Sequence, residues 1–350
     1  MRVARTSLAV ALLLLADGVT GGCSGSQPPS TPATGTTASA SASAPAAGAS
    51  ASSGAATQGA ACTIFPPDNV WHADVSRLAV RSDSAALVAS VGLTRGVHAD
   101  FGSGTYGGGP IGIPVTTVPP GQRGVAVAFQ YASESDRVPY PIPAGAQIEG
   151  GPSSSGDRHV ILFDQAACRA YELYAAYPNN DGTWRAGSGA VFDLRGNALR
   201  ARGATSADAA GLSILAGLVR WDEVAAGRID HAIRVTAQNT RNSFVWPARH
   251  AASSSSNAAL PQMGQRFRLK SNVGISRLPA QARVVAEAMQ RYGVILADNG
   301  SPWYISGAPD DHWSNDALHA LGSLTGADFE AVDASGLMLS PDSAACRPSA

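Results

Sequence analysis

The side chains able to do chemistry in this sequence crowd between Gly187 and Arg249, where Asp193, Arg195, Asp208, Asp222, Glu223, Asp230, His231 and Arg249 are separated by glycine turns. Others stand at the ends of apolar runs. Asp157, Arg158 and His159 open one, Glu172 lies between two tyrosines in another, and His250 follows Trp-Pro-Ala-Arg. Acids, histidines and arginines at strand ends can converge on one concave face. Two carboxylates there supply the acid and the base of glycoside hydrolysis. A histidine or tyrosine base, with an arginine to neutralise a uronate, supplies β-elimination instead. The candidate catalytic set is therefore His159, Glu172, Asp208, Glu223, His231 and His250. Arg158, Arg195, Trp246, Arg249 and Trp303 are the candidate substrate-binding residues.

Each of these has a plainer reading. Arg–Asp neighbours such as Asp193/Arg195 and Arg228/Asp230 often only fasten loops, and a strand histidine is commonly a satisfied structural group. Asp208 and the Asp222-Glu223 pair fall in short capped turns, where acids serve helix starts. His231 and Arg249 are then the sharper candidates, with His159 and Glu172 as partners from preceding strands. The 187–249 block reads as one wall of a cleft. Trp221, Trp246, Trp303, Tyr304 and Trp313 lie in turn-rich stretches beside acids or amides, which tilts the substrate toward carbohydrate. Indole faces stack on sugar C–H faces; a place in the core is the alternative.

Familiar signatures are missing. The sequence has no G-x-S-x-G elbow, no H-E-x-x-H and no Walker loop, and Ser188 in Ala-Gly-Ser-Gly-Ala reads as a turn serine. Asp310-Asp311-His312 reads as a solvated loop rather than a cation site, and the cysteine spacings do not match zinc. Neither a metal nor a cofactor is expected. The 25 basic and 26 acidic residues give a net charge of -1, so no basic field exists to hold nucleic acid.

The elements that must position these residues are short. With 38 glycines, 22 prolines and only 15% charged residues, the chain favours many turns and brief strands. Apolar or alternating runs recur at 125–131, 159–163, 170–177 and 190–193, broken by Gly, Pro or Asn-Asp-Gly. The spacing predicts further strands at 229–235, 243–246, 266–270 and 329–332, with 266–270 at a sheet edge. Asn180-Asp181-Gly182 is expected to turn 170–177 into a hairpin with the Trp184 segment, and Asp298-Asn299-Gly300 to make another between 294–297 and 303–306. Helices are expected at 82–91, 221–226, 279–292 and 316–321, with a capped helical turn at 206–210. The fold class is mainly β, an antiparallel β-sandwich of jelly-roll type with a few short helices.

The N-terminus carries an export signal. Arg2 and Arg5 precede an apolar run, Leu8 to Ala16, that is too short to span a bilayer. Val19-Thr-Gly-Gly-Cys23 resembles the lipobox of bacterial lipoproteins, with Thr20 where that family has an aliphatic residue. The resemblance implies a signal at 1–22, lipidation of Cys23 and an extracytoplasmic protein whose membrane contact is its anchor; an ordinary secretory signal is the alternative. Residues 23–60 are almost wholly Ser, Ala, Thr, Gly and Pro and read as a disordered tether. The remaining 61–350 form a single domain. In an oxidising compartment Cys62, Cys168 and Cys346 leave one thiol over. A Cys62–Cys168 bond is favoured, with Cys62–Cys346 as the alternative.

The order GRIDHA (227–232), WPA (246–248), RFRL (266–269) and QRYG (290–293) resembles a family of secreted bacterial proteins of actinobacterial type. That resemblance spans about 190–310 and implies a shared fold and export; it carries no activity and no catalytic residues. The reading from sequence is an exported, lipid-anchored, glycan-active protein, a polysaccharide hydrolase or lyase. The alternative is a non-catalytic glycan-binding or envelope-structural lipoprotein.

Overall fold

The computed structural model describes residues 62–347; the expected signal, the tether and Cys23 lie outside the described residues. Strands dominate and are short, as the density of turn residues requires. A six-stranded mixed sheet runs in the order His98–Asp100, Tyr304–Ser306, Ile233–Ala237, Val294–Asn299, Arg266–Leu269 and Phe329–Ala331. A four-stranded sheet runs Ser188–Asp193, Arg169–Tyr174, Val160–Asp164 and Val115–Thr117. Two smaller sheets pair Thr105–Tyr106 with Gly109–Pro110, and Val127–Phe129 with Trp184–Ala186 and Tyr177–Pro178.

Side-chain alternation sets the layers. On Arg169–Tyr174, Ala170 enters the main hydrophobic core, while Tyr171 and Leu173 enter a second cluster with Val160, Leu162 and Tyr140. Ile161, Ala190 and Phe192 join Ile233, Val235 and Ile295 in the main core. The four-stranded sheet is therefore covered on both faces, by the six-stranded sheet's core and by the three-stranded sheet. Each fully buried Leu or Ile there stabilises the fold by about 2 kcal/mol. The Ala280–Arg291 helix buries Ala282, Val285, Ala286 and Met289, a stripe at helical spacing, against the same core.

Several expectations are corrected. A jelly roll pairs its strands antiparallel, yet His98–Asp100 with Tyr304–Ser306 and Ile233–Ala237 with Val294–Asn299 are parallel, as are Val115–Thr117 with Val160–Asp164 and Val127–Phe129 with Trp184–Ala186. The hairpin expected at 298–300 is not formed, because Val294–Asn299 and Tyr304–Ser306 flank Ile233–Ala237 on opposite sides. The Asn-Asp-Gly turn does close a hairpin, but between Tyr177–Pro178 and Trp184–Ala186; Arg169–Tyr174 pairs elsewhere. Arg266–Leu269 is interior and wholly buried, its arginines donating to backbone carbonyls and to Glu330. Residues 206–210 form no helix, and Ser243–Trp246 contributes only a bridge from Phe244 to Met263.

Cys62 and Cys168 are joined in a disulfide, and Cys346 is free and buried. The bond is compatible with an oxidising, extracytoplasmic compartment. Among the described residues no helix is long and apolar enough to cross a membrane.

Candidate functional site

The residues that organise the site begin in the middle of the six-stranded sheet. Arg234 is 4% exposed, and a guanidinium so placed must find acceptors inside the fold; here carboxylates meet it. Its Nε and Nη2 donate to Asp208 at 2.9 and 2.8 Å, Nη2 also reaches Asp298 at 2.9 Å, and Nη1 donates to the Ser306 hydroxyl at 2.7 Å. The acids hold the arginine's proton affinity above its ordinary value against the opposing effect of burial.

Asp298 is aimed by an irregularity in the sheet. Val235 pairs with Leu296 but Thr236 pairs with Asp298, so Ala297 is a bulge. Bulges re-aim side chains and recur beside functional sites. The Ala297 carbonyl accepts from Ala210 N at 2.8 Å, and the Ala210 carbonyl accepts from Arg249 N at 2.8 Å. Those bonds lock the 205–212 loop over Arg234. Gly211 is required in that loop: it sits at φ 72, and a Cβ there would stand 2.6 Å from the Ala204 carbonyl. Ser206 closes the loop: the Asp208 and Leu212 carbonyls share its one hydroxyl proton, at 2.9 and 2.6 Å, and its oxygen accepts from Asp208 N.

Behind the same loop lies an ion pair between a buried histidine and a partly buried glutamate. His159 Nδ1 faces a Glu149 oxygen at 2.6 Å and Nε2 faces the Ala207 carbonyl at 3.2 Å. Both partners are acceptors, so both ring nitrogens donate and the ring is an imidazolium. Burial alone would lower its pKa, but the Glu149 carboxylate outweighs burial and holds it up at about 9. Burial in turn works to raise Glu149, and the His159 charge overcomes it and keeps that carboxyl below the ordinary range.

In front of these groups is a cleft of about 390 Å³ lined by Tyr131, Glu134, Asp157, Tyr174, His250, Asp298 and Asn299, with Ser188, Thr205 and Ser206. Asp298 keeps 21% of its side chain exposed, whereas Asp208 keeps none. Burial, reinforced by the nearby Asp208 charge and opposed by Arg234, raises Asp298 to about 7. His250 Nδ1 faces the Ala209 carbonyl at 2.8 Å, and its Nε2 lies 3.8 Å from a Glu134 oxygen. Ser188 donates to the Ser206 carbonyl at 2.7 Å, so its hydroxyl is committed to the backbone. A carboxyl that retains a proton near neutrality can give it up to a ligand in the cleft. Tyr131 and Tyr174 add ring faces to the lining, while the Asn299 amide donates to the Ala252 carbonyl at 2.7 Å and accepts from the Thr240 hydroxyl at 2.8 Å. Among the described residues no group of three His, Cys, Asp or Glu side chains could hold a metal ion.

Of the six residues expected to be catalytic, His250 lines the cleft, and Asp208 and His159 stand directly behind it. Glu172 does not reach it. Its fully buried carboxylate accepts from the Ser213 hydroxyl at 2.7 Å and from Ile214 N and Leu215 N at 2.8 and 3.0 Å. Burial nonetheless pushes it up to about 7. Glu223 and His231 form a separate cluster, 3.1 Å apart, with Arg220 on the same carboxylate. Burial works to raise Glu223, but His231 and Arg220 hold it below the ordinary range.

The expected binding residues lie elsewhere too. Arg158 donates to the carbonyls of Pro152, Ser154 and Ala176, and Arg195 to those of Ala166 and Ala167. Trp303 is in the core with its indole N–H on the Gly92 carbonyl. Trp246 donates to the Ser343 carbonyl, and Arg249 holds Pro341 and Asp342. Asp298 and Arg234 were missed in sequence because Asp298 stood in an apparent hairpin turn and Arg234 in an apolar strand. An arginine alternating with Ile233 and Val235 was the available signal, since a charge on a buried strand demands a buried partner. No family model, no curated protein and no solved structure matches this chain, and the chemistry of the site rests on its own residues.

Proposed function

We propose that this is an exported protein, anchored through Cys23, whose cleft binds and hydrolyses a glycan. The observation that carries the reading is Asp298, a partly exposed carboxyl raised to about 7 in a cleft that it shares with Asp157, Glu134 and His250. Asp298 gives its proton to the departing glycosidic oxygen, and a second group on the cleft wall supports the attacking water or the developing cation. Tyr131 and Tyr174 supply ring faces, and the acids bond hydroxyls.

Hydrolysis is favoured over elimination. A lyase needs a cation free to neutralise the uronate carboxylate. Arg234, behind the floor, is already shared by two aspartates, and Arg158, Arg195 and Arg249 are bound elsewhere. Glu134 and Asp157 in the lining disfavour an anionic sugar, so neutral or basic sugars are the substrate class. In the same reading the four- and six-stranded sheets are the two leaves of a sandwich, since they share one core.

The test is incubation of the exported protein and its Asp298→Asn variant with a polysaccharide panel, reading both new reducing ends and unsaturated products. Reducing ends made by the native protein and not by the variant support the proposal. Unsaturated products would replace it with a lyase. Binding without any product would leave a glycan-binding module.

A further inference from the structure

Trp246 and Arg249, which the glycan cleft does not use, line a second cavity of about 310 Å³. Its lining holds four arginines, Arg81, Arg202, Arg249 and Arg266, against one acid, Asp333. These charges are unevenly matched. Arg81 is held two-point by Asp83, at 2.8 Å for each bond. Arg249 is 4% exposed, yet its carboxylate partner Asp342 is 77% exposed, so solvent screens the pairing. The Arg249 Nε is buried with no hydrogen-bond partner. Arg266 is 2% exposed and its two terminal nitrogens donate to the Tyr292 and Val70 carbonyls, not to any acid. Burial without a carboxylate lowers its proton affinity to about 9. Arg202 is exposed and lies over the Phe244 ring, 4.6 Å from its centroid.

Buried positive charge short of counter-charge attracts an anion, and an aromatic wall beside it attracts an apolar body. We propose that this cavity is a binding site for a small amphiphilic anion. Its single carboxylate or phosphate group lies among Arg202, Arg249 and Arg266, and its apolar part lies against Phe244 and Trp246. The site is chemically opposite to the acid-lined cleft, which the adjacent residue His250 faces, and it stands or falls independently of the glycan reading.

Titration calorimetry of the full chain with hexanoate, hexyl phosphate, 1-hexanol and inorganic phosphate tests the assignment. Either hexyl anion should bind at least about tenfold more tightly than 1-hexanol, and hexyl phosphate about tenfold more tightly than inorganic phosphate. Trp246 fluorescence should change on binding. Which hexyl anion is preferred identifies the headgroup. Arg202→Gln alters an exposed residue, so the fold is retained, and it should weaken the anion by about tenfold. Arg249→Lys should weaken it further. Equal binding of 1-hexanol and the anions, equal binding of inorganic and hexyl phosphate, or unchanged affinity in Arg202→Gln would overturn the proposal.

Discussion

Arg234 holds Asp208 and Asp298 with the same nitrogen, Nη2, at 2.8 and 2.9 Å. One cation thus serves two carboxylates in different surroundings. Asp208, with no exposure, balances the buried charge, and Asp298, with 21%, meets the cleft. In the proposed hydrolysis Asp208 is the positioning acid and Asp298 the one that exchanges a proton with the ligand.

For Asp298 the expected outcome is a rate that falls as pH rises through about 7, because the group must be protonated to act as an acid. Asp298→Asn should lower kcat by roughly 10²-fold or more while glycan binding persists. Steady-state rates across pH 5 to 9 check the first claim, and calorimetry with the inactive variant checks the second. A carboxyl-carbon NMR titration of Asp298 near 7 needs no substrate.

His159 makes a prediction about stability. Its folded-state pKa of about 9 lies above the ordinary histidine value, so the folded chain holds a proton that the unfolded chain releases. The contribution is therefore complete below about pH 6.5 and is lost as pH rises through 9. Urea midpoints at pH 6, 7.5 and 9 should fall in that order, and His159→Gln should flatten the fall. A midpoint that rises from pH 6 to 9 would contradict the imidazolium assignment. Raised Asp298 and Glu172 act in the same direction at lower pH, since the folded state keeps their protons from about pH 4 to 7.

How much of this was legible in the sequence depended on what each residue was near in the chain. The Ala280–Arg291 helix and the alternation of Arg169–Tyr174 follow from local spacing, and the structure has both. The Cys62–Cys168 bond followed from compartment and strand context. The parallel pairing of Ile233–Ala237 with Val294–Asn299 did not, because it joins segments far apart and no turn residue announces it. Asn-Gly at 299–300 has hairpin chemistry, but both flanking strands found a better partner in Ile233–Ala237, a tertiary choice that overrode a local one. That miss hid Asp298. Glu149 was invisible for a similar reason, since only the packed fold brings it against His159.

Glu172 shows why a buried acid need not be catalytic. Three donors converge on it, from Ser213, Ile214 and Leu215, and Glu172→Ala would strand all three in the core. A loss on the order of 3 kcal/mol is expected from unsatisfied buried donors and the uncompensated void. Chemical denaturation reads it directly. A variant as stable as the parent would mean that the Leu215–Gly217 turn does not depend on this carboxylate.

The disulfide should matter more than any single side chain, because it closes a long loop. Cys62 and Cys168 are 106 residues apart, and a cross-link of that span removes roughly 5 kcal/mol of unfolded-chain entropy in the chain-entropy account. Cys168 also anchors Leu194, whose N–H donates to its carbonyl at 3.0 Å, so loosening the bond reaches the end of the Ser188–Asp193 strand. The double substitution Cys62→Ser with Cys168→Ser should lower the urea midpoint strongly, and reduction of the native protein should do the same. The free Cys346 provides the control: it is buried, so it should resist alkylation until the chain unfolds. In the reduced native protein, labelling of Cys346 should appear at the lower urea concentration at which the fold is lost. If reduction leaves that concentration unchanged, the bond only fastens the N-terminal end of the domain and the core holds without it.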